Sequence, residues 1–154
     1  MADLALPALS GEAVRLNRTA ADRHDAIRQT GEALLAIGAV QPGYLDAMQE
    51  RESTVTTYIG EGVAIPHGTH EARALVHRTA LAYLQFPDGV DWGDGQRAHV
   101  CVGIAARDDD HLGVLSALAR ILLDPDKAAR LRGAATADDV VRLLQPTGKE
   151  NKPA

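Results

Sequence analysis

Aromatic side chains are scarce in this sequence: its 154 residues include one Trp, one Phe and three Tyr. With 45% of residues hydrophobic, the core has to be assembled mainly from Leu, Ile, Val and Ala. Cysteine is rarer still, and a single Cys101 excludes an internal disulfide framework and suits a reducing compartment. No apolar run approaches the roughly 18 residues of a membrane span. Met1-Ala2-Asp3-Leu4 has neither the basic region nor the apolar stretch of a signal peptide. A cytoplasmic protein is expected. Positive charge is also in deficit, with 16 Lys and Arg against 21 Asp and Glu and a net charge of −5. Nucleic-acid binding relies on basic patches that release counterions, so no nucleic-acid partner is expected. There is no Gly-x-x-x-x-Gly-Lys-Ser/Thr loop, which argues against ATP as a phosphoryl donor.

The length suits one compact domain, placed at residues 1–145, with residues 146–154 read as a disordered tail. Apolar periodicity predicts a helix from Asp22 to Gly38 and another opened by Pro42 and running to about Glu52. Val55–Ile59 and Val63–Ile65 are β-branched runs that read as extended. Glu71–Val76 suggests a helical turn. Thr79–Phe86 and His99–Ala105 read as buried strands, with the intervening Pro87–Gln96 as a turn region. Helices follow at about 110–123, 127–132 and 137–144, the last capped by Thr136. Helices on both sides of mostly buried strands imply a three-layer α/β/α domain.

The chemistry concentrates in Gly60-Glu61-Gly62-Val63-Ala64-Ile65-Pro66-His67-Gly68-Thr69. Pro66 cannot donate to a ladder, so the strand is expected to end there and deliver an exposed His67. Gly68 would let the backbone approach a ligand, and the Gly68 and Thr69 amides would cradle anionic oxygens. A neutral imidazole is a competent nucleophile near neutral pH; a plain turn histidine is the alternative. Tyr44, Met48 and Arg51 share one helical face. Arg51 at its edge wants a carboxylate or a phosphate. His111 opens the helix carrying Leu115, Leu118 and Leu122, whose N-terminus favours its neutral form while Asp108, Asp109 and Asp110 push the opposite way. These acids are expected to face solvent. His67, His70 and His77 lack a cysteine or carboxylate partner, so neither metal nor other cofactor is expected. Cys101 is read as a small packing residue and Trp92 as one that pins a loop.

These motifs carry a resemblance. Ala47–Glu52, Tyr58–Thr69, Gln85–Val90 and Gly103–Arg107 followed by His111 are similar to the mannitol/fructose class of enzyme IIA proteins of the bacterial phosphotransferase system, and most like its mannitol-type members. The resemblance runs from about Ala21 to Leu144. It implies a mixed central sheet flanked by helices and a phosphoryl group carried on His67, with His111 and Arg51 lining the site. It also implies the phosphocarrier protein HPr as donor, a cysteine of an enzyme IIB as acceptor, and peripheral contact with a membrane sugar transporter through IIB. The alternative within the same fold is a regulatory phosphoprotein of the nitrogen-regulatory type. The relatives tend to carry amides where this chain has Asp108 and Asp109.

Overall fold

A computed structural model describes residues 9–107 and 110–144. The expected tail, and Asp108 and Asp109 whose facing mattered above, lie outside the described residues. Strand β1 (Val14–Arg15) precedes helices α1 (Arg23–Ala36) and α2 (Tyr44–Thr54). Strands β2 (Tyr58–Gly60), β3 (Val63–Ala64), β4 (Ala80–Gly93) and β5 (Gln96–Ala105) follow, then α3 (Asp110–Leu122), α4 (Pro125–Arg132) and α5 (Ala137–Leu143). The helix starts follow their capping residues. The Asp22 carboxylate accepts from Asp25 N at the head of α1, and the Thr136 hydroxyl accepts from Asp139 N at the head of α5. Glu71–Leu75 forms one 3-10 turn.

The sheet order is β1-β4-β5-β3-β2. β1 runs parallel to β4 and β3 parallel to β5, while β4/β5 and β2/β3 are antiparallel, so the sheet is mixed as expected. Residues 87–96 depart from the expected turn. β4 continues through them to Gly93, and the reversal is confined to Asp94 and Gly95, both at positive φ. Pro87-Asp88-Gly89 instead makes an irregularity, after which pairing resumes at Val90↔Ala98. A bulge absorbs the proline without ending the strand. Trp92 therefore sits within a strand and is buried, its Nε1 donating to Glu52 (3.0 Å).

Alternation along β4 and β5 divides the layers. Tyr83 points to the far face, where its hydroxyl donates to the Leu131 carbonyl of α4. Ala82 and Gly103 point the other way, against Thr30 and Leu34 of α1. The approach there is close: a Cβ on Gly103 would lie 2.4 Å from Thr30 Cγ2. Thr30 has little freedom to yield, because its hydroxyl is tied to the Ala26 carbonyl (2.8 Å) and the side chain is fully buried. Gly103→Ala should therefore destabilise the domain by about 1–3 kcal/mol through overpacking, more than the roughly 0.5–1 kcal/mol that replacing a strand glycine gains. Denaturant titration should show this, with Gly133→Ala, whose Cβ meets nothing nearer than 3.6 Å, as the near-neutral comparison.

Candidate functional site

β3 and β5 set the position of His67. The Ile104 N–H of β5 donates to the Pro66 carbonyl (3.0 Å), and His67 pairs with Ile104 as an isolated parallel bridge. A proline forfeits its own N–H but keeps its carbonyl, so the ladder continues past Pro66 and does not stop there. His67 is accordingly buried, with 5% of its surface exposed, and not the exposed residue that the sequence suggested. Its Nδ1 lies 2.8 Å from the Ile65 carbonyl. A carbonyl only accepts, so Nδ1 carries the hydrogen and Nε2 the lone pair.

The imidazole lines a cavity of about 170 Å³ with Arg51, His111 and Thr69, the residues the sequence singled out. The ring centroids of His67 and His111 are 5.2 Å apart. Arg51 also has a role within the fold. Its Nη1 donates to the Val55 carbonyl (2.6 Å), closing the C-terminal turn of α2 and anchoring the guanidinium beside the cavity. The cradle needs correction at Gly68: its N–H donates to the Tyr44 hydroxyl (2.9 Å) and is already engaged. Gly68 lacks a side chain for a different reason as well, since a Cβ there would lie 2.6 Å from the Tyr44 ring.

Three residues at this site escaped the sequence reading as site residues. Tyr44 was placed only on a core-facing stripe. Arg73 and His70 enter through the 3-10 turn, where an Arg73 N–H donates to His70 Nε2 (3.0 Å). No periodicity marks so short a turn as facing the histidine. Among the described residues no cluster of three or more metal-ligating side chains forms. Cys101 is fully buried, and burial pushes its thiol up to about 12, so it supplies no thiolate. A larger hollow of about 530 Å³ lies between α4 and α5, flanked by Arg130 and Arg142, but among the described residues no histidine, cysteine or hydroxyl lines it. Side-chain chemistry, not volume, selects the site.

Electrostatics keep both histidines neutral. Burial is the main force lowering His67 to about 4; the Ile65 bond opposes it, and the positive field of Arg51 adds to it, as does repulsion from His111 whenever that ring is itself protonated. His111 is lowered by partial burial first, then by Arg73, Arg51 and His70.

The chain matches the family described as "Phosphoenolpyruvate-dependent sugar phosphotransferase system, EIIA 2" over residues 8–146. It belongs to that family. It is similar to the Multiphosphoryl transfer protein of Escherichia coli O157:H7, 44% identical over 88% of this chain and 36% of that protein. The chain thus spans about a third of that relative's length. It is 35% identical to the mannitol-specific phosphotransferase enzyme IIA component of Geobacillus stearothermophilus, over 92% of this chain and 97% of that one. Among solved structures it resembles the enzyme IIA in the Escherichia coli complex of IIA-mannitol with phosphorylated IIB-mannitol: TM-score 0.83, 39% identity, covering 88% of this chain and 96% of that chain. The protein is therefore an enzyme IIA-type phosphoryl carrier with the three-layer α/β/α fold, related to mannitol-specific IIA proteins. Among the described residues no helix is long and apolar enough to cross a membrane.

The burial of this enzyme IIA's histidine has a measurable consequence. NMR titration should place the His67 midpoint near 4, well below the ordinary 6.5. The unfolded chain then binds a proton that the folded chain refuses. Stability should be level above pH 6.5 and fall as pH drops from 6.5 towards 4, by up to about 1.4 kcal/mol per pH unit from this group. A midpoint at 6.5 would contradict the buried imidazole.

Proposed function

We propose that His67 accepts a phosphoryl group on Nε2 from the phosphocarrier protein HPr and passes it to a cysteine of an enzyme IIB during sugar uptake, with mannitol or a related hexitol as the eventual substrate. The observation that carries this reading is the bond from Nδ1 to the Ile65 carbonyl, which leaves Nε2 as the nucleophilic nitrogen of a neutral ring. The Nε2 lone pair forms the new P–N bond while the donor's P–N bond breaks, its electron pair returning to the donor ring. The Nδ1 proton stays in place, and the Ile65 carbonyl balances the positive charge that the phosphorylated ring acquires. On transfer to a thiolate, the P–N electrons return to His67, which departs as a neutral imidazole. No proton has to move on this chain in either direction.

Phosphoryl transfer needs alignment and stabilised equatorial oxygens more than covalent help. Arg51 supplies fixed positive charge, its guanidinium already anchored. His111, held neutral, supplies an N–H donor, and Thr69 lines the remaining wall. The carrier works in the cytoplasm without a metal or other cofactor, and meets the membrane transporter only through IIB. Because His67 is recessed, the donor's phosphohistidine and the acceptor's cysteine must each reach into the cavity. Leu112, next to His111 in sequence and 74% exposed, offers apolar surface to such partners.

Incubation with phosphoenolpyruvate, enzyme I and HPr should add one phosphoryl group, stable to alkali and labile to acid, and His67→Ala should accept none. Full labelling of that variant would move the site elsewhere. Arg51→Ala and His111→Ala should remain folded by circular dichroism but exchange about 10²–10³-fold more slowly in rapid-quench experiments. Chelators should not alter the rate. The phosphorylated chain should transfer to the cysteine of a mannitol-type IIB within seconds. If it ignores every sugar-specific IIB and binds a cytoplasmic regulator according to its phosphorylation state, the regulatory reading replaces transport.

A further inference from the structure

Pro66, His67 and Gly68 run alongside Ile104 as a short parallel extension of β3 on β5. In a parallel ladder, one rung runs from Ile104 N–H to the Pro66 carbonyl and the next from Gly68 N–H to the Ile104 carbonyl. The first rung is present at 3.0 Å. In the second, the Tyr44 hydroxyl stands between the two groups. It accepts from Gly68 N–H (2.9 Å) and donates to the Ile104 carbonyl (2.9 Å). The phenol thus bridges the two strands directly after His67, while the rung directly before it is a direct backbone hydrogen bond. The Tyr44 ring lies against Gly68, where a Cβ would be 2.6 Å from Cε1 and 2.9 Å from Cζ, so its place is fixed sterically as well as by hydrogen bonds. The side chain is buried, with 3% of its surface exposed.

We infer that Tyr44 is the positioning residue for His67: by replacing one rung of the β3–β5 ladder with its hydroxyl, it sets the backbone angle at which the imidazole leaves the sheet and so the direction of Nε2. The kinetic arm of the test rests on the proposed phosphoryl-acceptor role of His67; the spectroscopic arm does not. The backbone that Tyr44 bridges is continuous with Ile65, whose carbonyl holds Nδ1. If the hydroxyl is removed, Gly68 N–H and the Ile104 carbonyl can close on each other directly. That closure rotates His67 and weakens its Nδ1 bond. Burial keeps Tyr44 from touching a protein partner, and because it lines the same cavity as His67, the tautomer readout is what separates positioning of His67 from a direct contact with the transferred group.

Tyr44→Phe retains the ring packed on Gly68 and removes only the hydroxyl. Long-range ¹H–¹⁵N NMR of the unphosphorylated protein should show one His67 tautomer, hydrogen on Nδ1, in the wild type and a mixture in Tyr44→Phe. With HPr as donor, kcat should fall about 10–100-fold, the scale expected of a displaced reactive atom, while KM for HPr stays the same. Gly68→Ala keeps the hydroxyl but displaces the ring, and should reproduce both effects by a different route. Retention of the single tautomer or of wild-type kcat in Tyr44→Phe, even with a lowered melting temperature, would reduce Tyr44 to a packing residue and overturn the inference. A wild-type chain that takes no phosphoryl group would sink the His67 role, while the tautomer comparison would still decide the role of Tyr44.

Discussion

The hydrogen bond between His67 Nδ1 and the Ile65 carbonyl governs the chemistry of the site, because it assigns different tasks to the two ring nitrogens. An imidazole free in solvent exchanges tautomers and spends part of its time with the wrong nitrogen bare. Here one tautomer is selected by a carbonyl that can only accept. That carbonyl is aimed by the extended run Val63–Pro66, which is held in turn by its pairing with β5. The long β4–β5 hairpin therefore has a role beyond the core: β5 is the rail along which the reactive segment lies. Tyr44, from α2, reaches the same rail at Ile104.

In the proposed phosphoryl-acceptor role, the site also has to solve a charge problem. A dianionic phosphoryl group needs positive charge nearby, yet a neutral nucleophile needs protection from protonation, and cations serve both ends. Arg51, Arg73 and His70 depress His111, and Arg51 depresses His67 as well. In an overall acidic chain, the guanidinium groups of Arg51 and Arg73 both line this cavity. The neighbouring carboxylate, Glu52, is kept occupied by Trp92 Nε1, the Thr56 hydroxyl, and the Thr57 amide and hydroxyl. Those bonds tie the end of α2 to β4 and to the entry of β2 one residue after Arg51, while the Glu52 charge still opposes the lowering of His67.

Much of this could be read along the chain. Caps and apolar spacing located the helices to within a few residues because those signals are local, and β-branched runs located the strands. The segment around Pro66-His67-Gly68 stood out because glycines, a proline and a histidine in that order, in the setting of the family resemblance, suggest a histidine beside backbone that a ligand can approach. Pro87-Asp88-Gly89 misled, since the same residues that make a turn also make a bulge, and only the partner strand distinguishes the two. Pro66 misled similarly, as its carbonyl pairs although its nitrogen cannot.

Residue identity along the chain was sufficient for the fold class and for singling out His67 as a candidate, because both are matters of local spacing or side-chain chemistry, while Arg51 and His111 were singled out with the help of the family resemblance. The burial of His67, the nitrogen left bare, the engagement of the Gly68 amide and the entry of Tyr44, His70 and Arg73 were decided by folding. Each depends on where a carbonyl, a phenol or a guanidinium from a distant segment comes to rest. Tyr44 and Ile104 are 60 residues apart in sequence, yet they share one hydrogen bond beside the reactive ring. Such a contact is set by the packing of α2 against the edge of the β3–β5 pairing, and no periodicity in the chain encodes it.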